Sequence, residues 1–198
     1  MKFLIDTQSE KVKSFVEKYP KYFLGQLLTP LTKYKNWDAG KFAVDNGAFT
    51  RFDEKSFKSL LERNTDKMSE CLFVVCPDVV GSAIRTLELW NYRRKWIRHN
   101  LPVAFVAQDG QESYNIPWDQ LDCLFLGGGD PWKDSDQAVA IVKTAKTLGK
   151  WVHIGRVNTA ERFKKFDKLG ADTCDGSGIA RFSEAMLGKL ITIITGVS

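Results

Sequence analysis

Short apolar runs rich in Val, Leu, Ile and Phe, each ended by Gly, Asp, Asn or Pro, recur along the chain and alternate with stretches whose apolar residues fall at helical spacing. Runs of this kind closed by turn residues read as strands. Eight are present, at 2–6, 22–29, 42–45, 72–76, 103–107, 123–126, 151–154 and 171–174. Several are apolar almost throughout, the pattern of parallel strands covered on both faces. Between them, 9–18 sets Val12, Phe15 and Val16 on one helical face, and 56–68 repeats the device with Phe57, Leu60 and Leu61. The longer stretch 82–99 offers Ala83, Leu87, Trp90 and Ile97, and 135–148 and 159–169 complete the helices. Ser9, Asp53 and Ser82 stand where N-caps belong, and Gly149 and Gly170 where a helix C-terminal glycine belongs.

Strand and helix in regular alternation predict a largely parallel α/β fold. Eight strands predict closure into a (β/α)8 barrel, and 198 residues lie at the lower end of the size such barrels need. The expectation is one domain over 1–198: a minimal TIM-type barrel with some outer helices missing or irregular, because 29–41 and 110–122 lack a helical period. An open doubly wound sheet is the alternative.

Composition narrows the setting. No apolar run approaches the ~20 residues of a membrane span, and the opening Met-Lys-Phe-Leu-Ile-Asp breaks too soon for a signal peptide, so a cytoplasmic protein without membrane contact is expected. Cys71, Cys76, Cys123 and Cys174 lie in or beside strand runs and match neither a zinc site nor a disulfide framework; reduced core thiols are expected. A net charge of +5 is compatible with a polyanionic partner.

In a parallel barrel the chemistry lies where the strands end. Here those ends are Asp45-Asn46-Gly47-Ala48-Phe49, Cys76-Pro77-Asp78, Ala107-Gln108-Asp109-Gly110, Gly127-Gly128-Gly129-Asp130, His153-Ile154-Gly155-Arg156 and Asp175 to Gly178. Any one Asp or Gly among them is explained by a turn. Their convergence on one face is not. Asp78 and Gln108 carry donors and acceptors suited to the edge of a heterocycle, and Gly127 to Gly129 would let a flat ligand approach bare backbone. Asp45 and Asp175, held a few ångströms apart, could divide nucleophile and acid/base roles as in glycosyl transfer.

These residues resemble the tRNA-guanine transglycosylase family, and more closely its short phage-type DNA relatives that insert 7-deazaguanines. Asp45 to Phe49 is similar to the family's Asp-Ser-Gly-Gly-Phe, Ala107 to Gly110 to its Val-Gln-Gly-Gly, and Leu126 to Gly129 to its Gly-Gly-Leu. Ile154 to Thr159 resembles Met-Gly-Val-Gly-Thr, and Gly170 to Asp175 resembles Gly-Ile-Asp-Met-Phe-Asp, whose last residue is the family nucleophile. The motifs occur in the family's order over 45–175, about two thirds of the chain. The resemblance implies that Asp175 attacks the sugar of a guanine nucleotide and that Asp45 handles proton transfer. It further implies that Asn46, Gly47, Phe49, Asp78, Gln108, Gly127, Gly128 and Gly155 surround the base, with no cofactor.

The family's zinc-binding Cys-x-Cys-x-x-Cys run is missing, and beyond the eighth strand only one apolar helix, 182–195, is expected. DNA is therefore the expected polymer, tRNA the alternative, with a free 7-deazaguanine base as second substrate and an accessory protein or homodimer as a further partner. A phage-encoded protein acting in the host cytoplasm fits that reading. Gly176, Ser177 and Gly178 replace bulkier residues beside the nucleophile. Arg51, Lys133, Arg156 and Arg181 follow strands and are the expected phosphate contacts. The denser cluster Arg93, Arg94, Lys95, Arg98 and His99 is expected at the opposite face, at a helix C-terminus. Trp118 and Trp132 are candidates for base stacking, and Trp90, Trp96 and Trp151 for the core. Neither His99 nor His153 has a ligand-spaced partner, so no metal is expected. Two other classes compete: a metal-dependent lyase using Asp45, Asp78 and His153, and a non-catalytic DNA-binding module.

Overall fold

The structure, a computed structural model, describes residues 1–6, 10–31, 40–97 and 100–176. The expectations placed on Ser9, Arg98, His99, Ser177, Gly178, Arg181, the helix at 182–195 and most of the 29–41 connection lie outside the described residues. Strands β1 (Lys2–Ile5), β2 (Phe23–Leu28), β3 (Lys41–Val44), β4 (Cys71–Val75), β5 (Val103–Ala107), β6 (Cys123–Leu126), β7 (Trp151–Ile154) and β8 (Thr173–Cys174) form a closed barrel in sequence order. Every neighbouring pair is parallel, and β8 closes on β1 through Lys2 opposite Thr173 and Phe3 opposite Cys174. The fold is thus an eight-stranded TIM-type α/β barrel, and the open sheet is excluded.

The apolar runs are continuous because each strand is buried on both sides. Leu4, Leu27, Phe73, Val75, Val106 and Phe125 fill the barrel interior. Their neighbours in sequence, such as Phe3, Leu28, Val74, Phe105 and Leu124, point outward under the helices. This is the period-two alternation of a strand with no polar face.

Helices α1 (Glu10–Lys18), α2 (Glu54–Arg63), α3 (Ala83–Arg93), α4 (Asp130–Lys133), α5 (Asp136–Thr147) and α6 (Ala160–Lys168) lie between the strands. Helix α2 starts two residues before the periodic stretch because the Asp53 carboxylate caps it, accepting from Ser56 N–H at 2.6 Å. It stops at Asn64, whose amide donates back to the Leu60 carbonyl. Ser82 occupies the N-cap position of α3 without a side-chain cap bond. That helix ends at Arg93, short of the expected 99, and passes into a 3-10 turn over Arg94–Trp96. The β5 to β6 connection holds only the 3-10 turns Gln111–Ser113 and Trp118–Gln120, as the missing helical period implied. Strand β8 begins two residues later than expected. Asp172 instead sits at its entrance, its carboxylate accepting from Val152 N–H and the Lys146 ammonium, both at 2.7 Å.

The four cysteines are buried and free, and burial pushes the Cys71 and Cys76 thiols up to about 12. Placement of Arg93 at the opposite face is not met. Its guanidinium packs 4.5 Å from the ring of Phe52, downstream of β3, and its charge reaches Asp78 at the end of β4. Trp90 is core, whereas Trp96 is only half-buried, with Lys58 over its ring at 4.6 Å.

Candidate active site

A cavity of about 380 Å³ opens at the C-terminal ends of the strands, a volume suited to one small heterocycle. Leu27, Val75, Val106 and Phe125, the uppermost interior side chains, line its apolar part. Asp6, Asp45, Asp78 and Asp175 bring carboxylates from four different strand ends. At its edge stand Leu31, Phe49 and Val80, exposed by 70%, 66% and 43%, an apolar lip open to solvent.

Asp175 leaves the end of β8 with each carboxylate oxygen engaged. Oδ1 accepts from the Arg156 N–H at 2.9 Å, and Oδ2 lies 3.0 Å from His153 Nε2. Backbone bonds on either side, Asp175 N–H to the Ile154 carbonyl and Val157 N–H to the Asp175 carbonyl, splice it onto the end of β7. Arg156 has φ of 56°, the positive value found at no other described non-glycine residue. Backbone held in that region costs on the order of 1–3 kcal/mol and concentrates at functional sites. Here it aims an N–H at the carboxylate.

Asp45 is in a different state. Burial lifts its carboxyl from an ordinary 3.8 to about 7, against the opposing Gly47 N–H bond of 2.6 Å, and the charges of Asp175, Asp78 and Asp6 add to the rise. One carboxylate is hydrogen-bonded at both oxygens, and its neighbour sits poised near neutrality.

Asp78 is clasped. Asn46 donates to its Oδ1 at 2.7 Å and Gln108 to its Oδ2 at 2.6 Å, while burial raises its pKa against those two bonds. The other end of the Gln108 amide accepts from Gly81 and Gly128 N–H at 3.0 and 2.9 Å. Gly127 is needed for close approach, because a Cβ there would stand 2.8 Å from Val106 Cγ1 and 2.9 Å from Gln108 Nε2. Gly128 has φ of 70°, which only glycine adopts readily.

The structure therefore brings Asp45, Asn46, Gly47, Phe49, Asp78, Gln108, Gly127, Gly128, Gly155, Arg156 and Asp175 to one cavity. Three expectations change in detail. The Gly128 N–H and carbonyl are already used, the latter by the Arg156 guanidinium, so this glycine presents no open backbone edge. Lys133 is not a phosphate contact: its side chain is wholly buried and its ammonium donates to the Gly155 carbonyl at 2.7 Å, bracing the turn beneath Arg156. Trp118 and Trp132 pack against the outer core, and the Trp132 indole donates to Glu112. Arg51 is exposed, and the Arg156 guanidinium also lies 4.5 Å over the Phe49 ring.

Sequence reasoning missed Asp6, Leu31, Val80 and the pairing of His153 with Asp175. Asp6 reads as the last residue of the first apolar run, although an acidic residue ending a strand is the same signal that marks Asp45. Among the described residues no group of three or more His, Cys, Asp or Glu could hold a metal ion, so Asp45, Asp78 and His153 are not assembled as a metal centre.

No family model and no curated protein matches this sequence. A solved structure does: the crystal structure of the Amycolatopsis orientalis BexX/CysO complex aligns with all of this chain and 92% of that chain, with a TM-score of 0.54 and 12% identity. At that identity the likeness shows the barrel fold and nothing of the chemistry. Among the described residues no helix is long and apolar enough to cross a membrane.

Proposed function

We propose that the protein is a guanine transglycosylase, exchanging guanine in DNA for a free 7-deazaguanine through a covalent Asp175–sugar intermediate. The observation that carries this reading is the contrast between two carboxylates in one cavity: Asp175 hydrogen-bonded at both oxygens, Asp45 lifted to about 7. A buried carboxyl poised near neutrality can do acid/base work beside a carboxylate held in place to act as nucleophile. An Asp175 oxygen attacks the anomeric carbon, the glycosidic bond breaks with its electron pair going to guanine, and the Asp45 proton passes to the departing base. The incoming base then gives its N–H proton to Asp45 and attacks the same carbon. The ester bond breaks and the Asp175 carboxylate is restored. Two displacements retain the sugar configuration.

The clasped Asp78 presents a carboxylate whose position is fixed for the base's N–H edge, and the lip of Leu31, Phe49 and Val80 offers apolar surface to its flat faces. A base in a duplex must be turned out of the stack to reach this cavity. The test is incorporation of labelled guanine into DNA, with tRNA in parallel. Exchange into DNA that disappears in Asp175→Ala, together with a trapped protein–DNA adduct, is the expected result; exchange into tRNA alone moves the same chemistry to the other polymer. No exchange into either overturns the reading.

A further inference from the structure

Behind Asp175 a line of hydrogen bonds crosses the barrel interior. Trp151 Nε1 donates to Thr173 Oγ1 at 3.0 Å, Thr173 Oγ1 lies 2.9 Å from His153 Nδ1, and His153 Nε2 lies 3.0 Å from Asp175 Oδ2. His153 and Thr173 have no exposed surface. The imidazole packs against Phe125 and Phe73, with ring centroids 4.6 and 5.3 Å away.

The chemistry of the first member sets the direction of the whole line. An indole N–H can only donate, so Trp151 takes one lone pair of the Thr173 oxygen; the buried hydroxyl hydrogen still needs an acceptor, and His153 Nδ1 lies within reach of it. With Nδ1 accepting, a neutral ring carries its proton on Nε2, where the Asp175 carboxylate accepts it. The other neutral tautomer would set a bare nitrogen against a carboxylate. An imidazolium would donate from Nδ1 as well, and the buried Thr173 hydroxyl hydrogen would then have to turn away from that nitrogen.

We propose that Trp151, Thr173 and His153 form a one-way hydrogen-bond relay that fixes His153 as the neutral Nε2–H tautomer and makes it the positioning residue of Asp175. With His153 on Oδ2 and the Arg156 N–H on Oδ1, the plane of the carboxylate is held from both sides. Because the imidazole is neutral, Asp175 keeps its whole negative charge for the positive charge that develops at the sugar carbon. Only this catalytic consequence rests on the transglycosylase reading; the tautomer stands apart from it.

The test has two arms on the full chain. The protein has two histidines, so 15N-imidazole NMR at pH 7, with His99→Gln to assign the second ring, reads the protonation of His153 directly. The expected spectrum has Nε2 protonated and Nδ1 bare but hydrogen-bonded, and Thr173→Val, which keeps the shape and removes the hydroxyl, moves the Nδ1 resonance to that of an unbonded imidazole nitrogen while the carboxylate keeps the proton on Nε2. A wild-type ring protonated at Nδ1, or a Thr173→Val spectrum unchanged, overturns the relay. In the second arm, His153→Leu lowers kcat for guanine exchange on the order of 100-fold, the scale of a misplaced reacting group, with KM for the free base within about twofold. His153→Gln, whose amide N–H can reach the same oxygen, recovers most of that loss. Equal kcat in the Leu and Gln variants refutes the positioning role. Wild-type protein with the expected tautomer but no exchange leaves the relay in place and removes the transglycosylase reading.

Discussion

At the scale of single residues, Asp45 ties the state of the cavity to stability. Its carboxyl is lifted from 3.8 to about 7, so between those values the folded chain binds a proton that the unfolded chain has lost. Stability is then fullest below about pH 4 and falls as pH rises towards 7. At about 1.4 kcal/mol per pH unit, ionised Asp45 costs on the order of 4 kcal/mol. Asp45→Asn removes that cost while still offering an oxygen to the Gly47 N–H. We expect its melting temperature to exceed wild type at pH 8 and to match it near pH 4, as thermal unfolding at the two pH values will show. In the proposed exchange that same proton goes to the departing base, so wild-type guanine exchange should decline as pH rises through about 7 and be nearly absent in Asp45→Asn. Lys133 works in the opposite sense. Burial, reinforced by the charge of Arg156, lowers its ammonium from 10.5 to about 8, so between these values the unfolded chain holds the extra proton and stability rises with pH. Urea unfolding from pH 8 to 10.5 should show that rise in wild type and its loss in Lys133→Met.

At the scale of elements, the strands explain what can be read from a sequence and what cannot. Runs such as Cys123–Leu126 are legible because both faces are buried, and the ends of α5 and α6 are legible because Ser135 and Thr159 supply cap oxygens and Gly149 and Gly170 take positive φ. Asp45, Asp78 and Asp175 were legible as strand-end residues in a parallel barrel. Lys133 was not, since a lysine in a one-turn helix looks exposed until Gly155 and Arg156 are known to lie over it. Nor was the His153–Asp175 pair, which arises from the neighbouring of β7 and β8 and leaves no local pattern. Leu31 and Val80 belong to the same class, being apolar residues in loops that meet at one cavity only after closure. The segment from β6 to α4 yields its own prediction. Gly127→Ala forces a methyl against Gln108 and should loosen the clasp on Asp78, raising KM for the free base at least tenfold with the far-UV spectrum unchanged. An unaltered KM would show that the clasp does not touch the base.

For the molecule as a whole, the barrel is unevenly sewn. The β5–β6 and β6–β7 seams each register four residue pairs; β4, five residues long, registers two with each neighbour, and β8 is only two residues long and meets β7 and β1 through two pairs each. Fewer ladder bonds mean cheaper local opening. Native-state hydrogen exchange should therefore find the amides of β8 and of the start of β1 exchanging well before those of β5 to β7. Uniform protection around the barrel would contradict this. Asp175 stands at the end of the two-residue strand β8.

That arrangement constrains how the protein is made. Strands β2 to β7 can pair with a neighbour already synthesised, but β1 has to wait until residues 173–174 leave the ribosome before it gains its second partner. The loop that this last pairing closes spans nearly the entire chain, the slowest kind of contact to form. Asp175 takes its place in the same event, so no shorter nascent chain has a finished cavity.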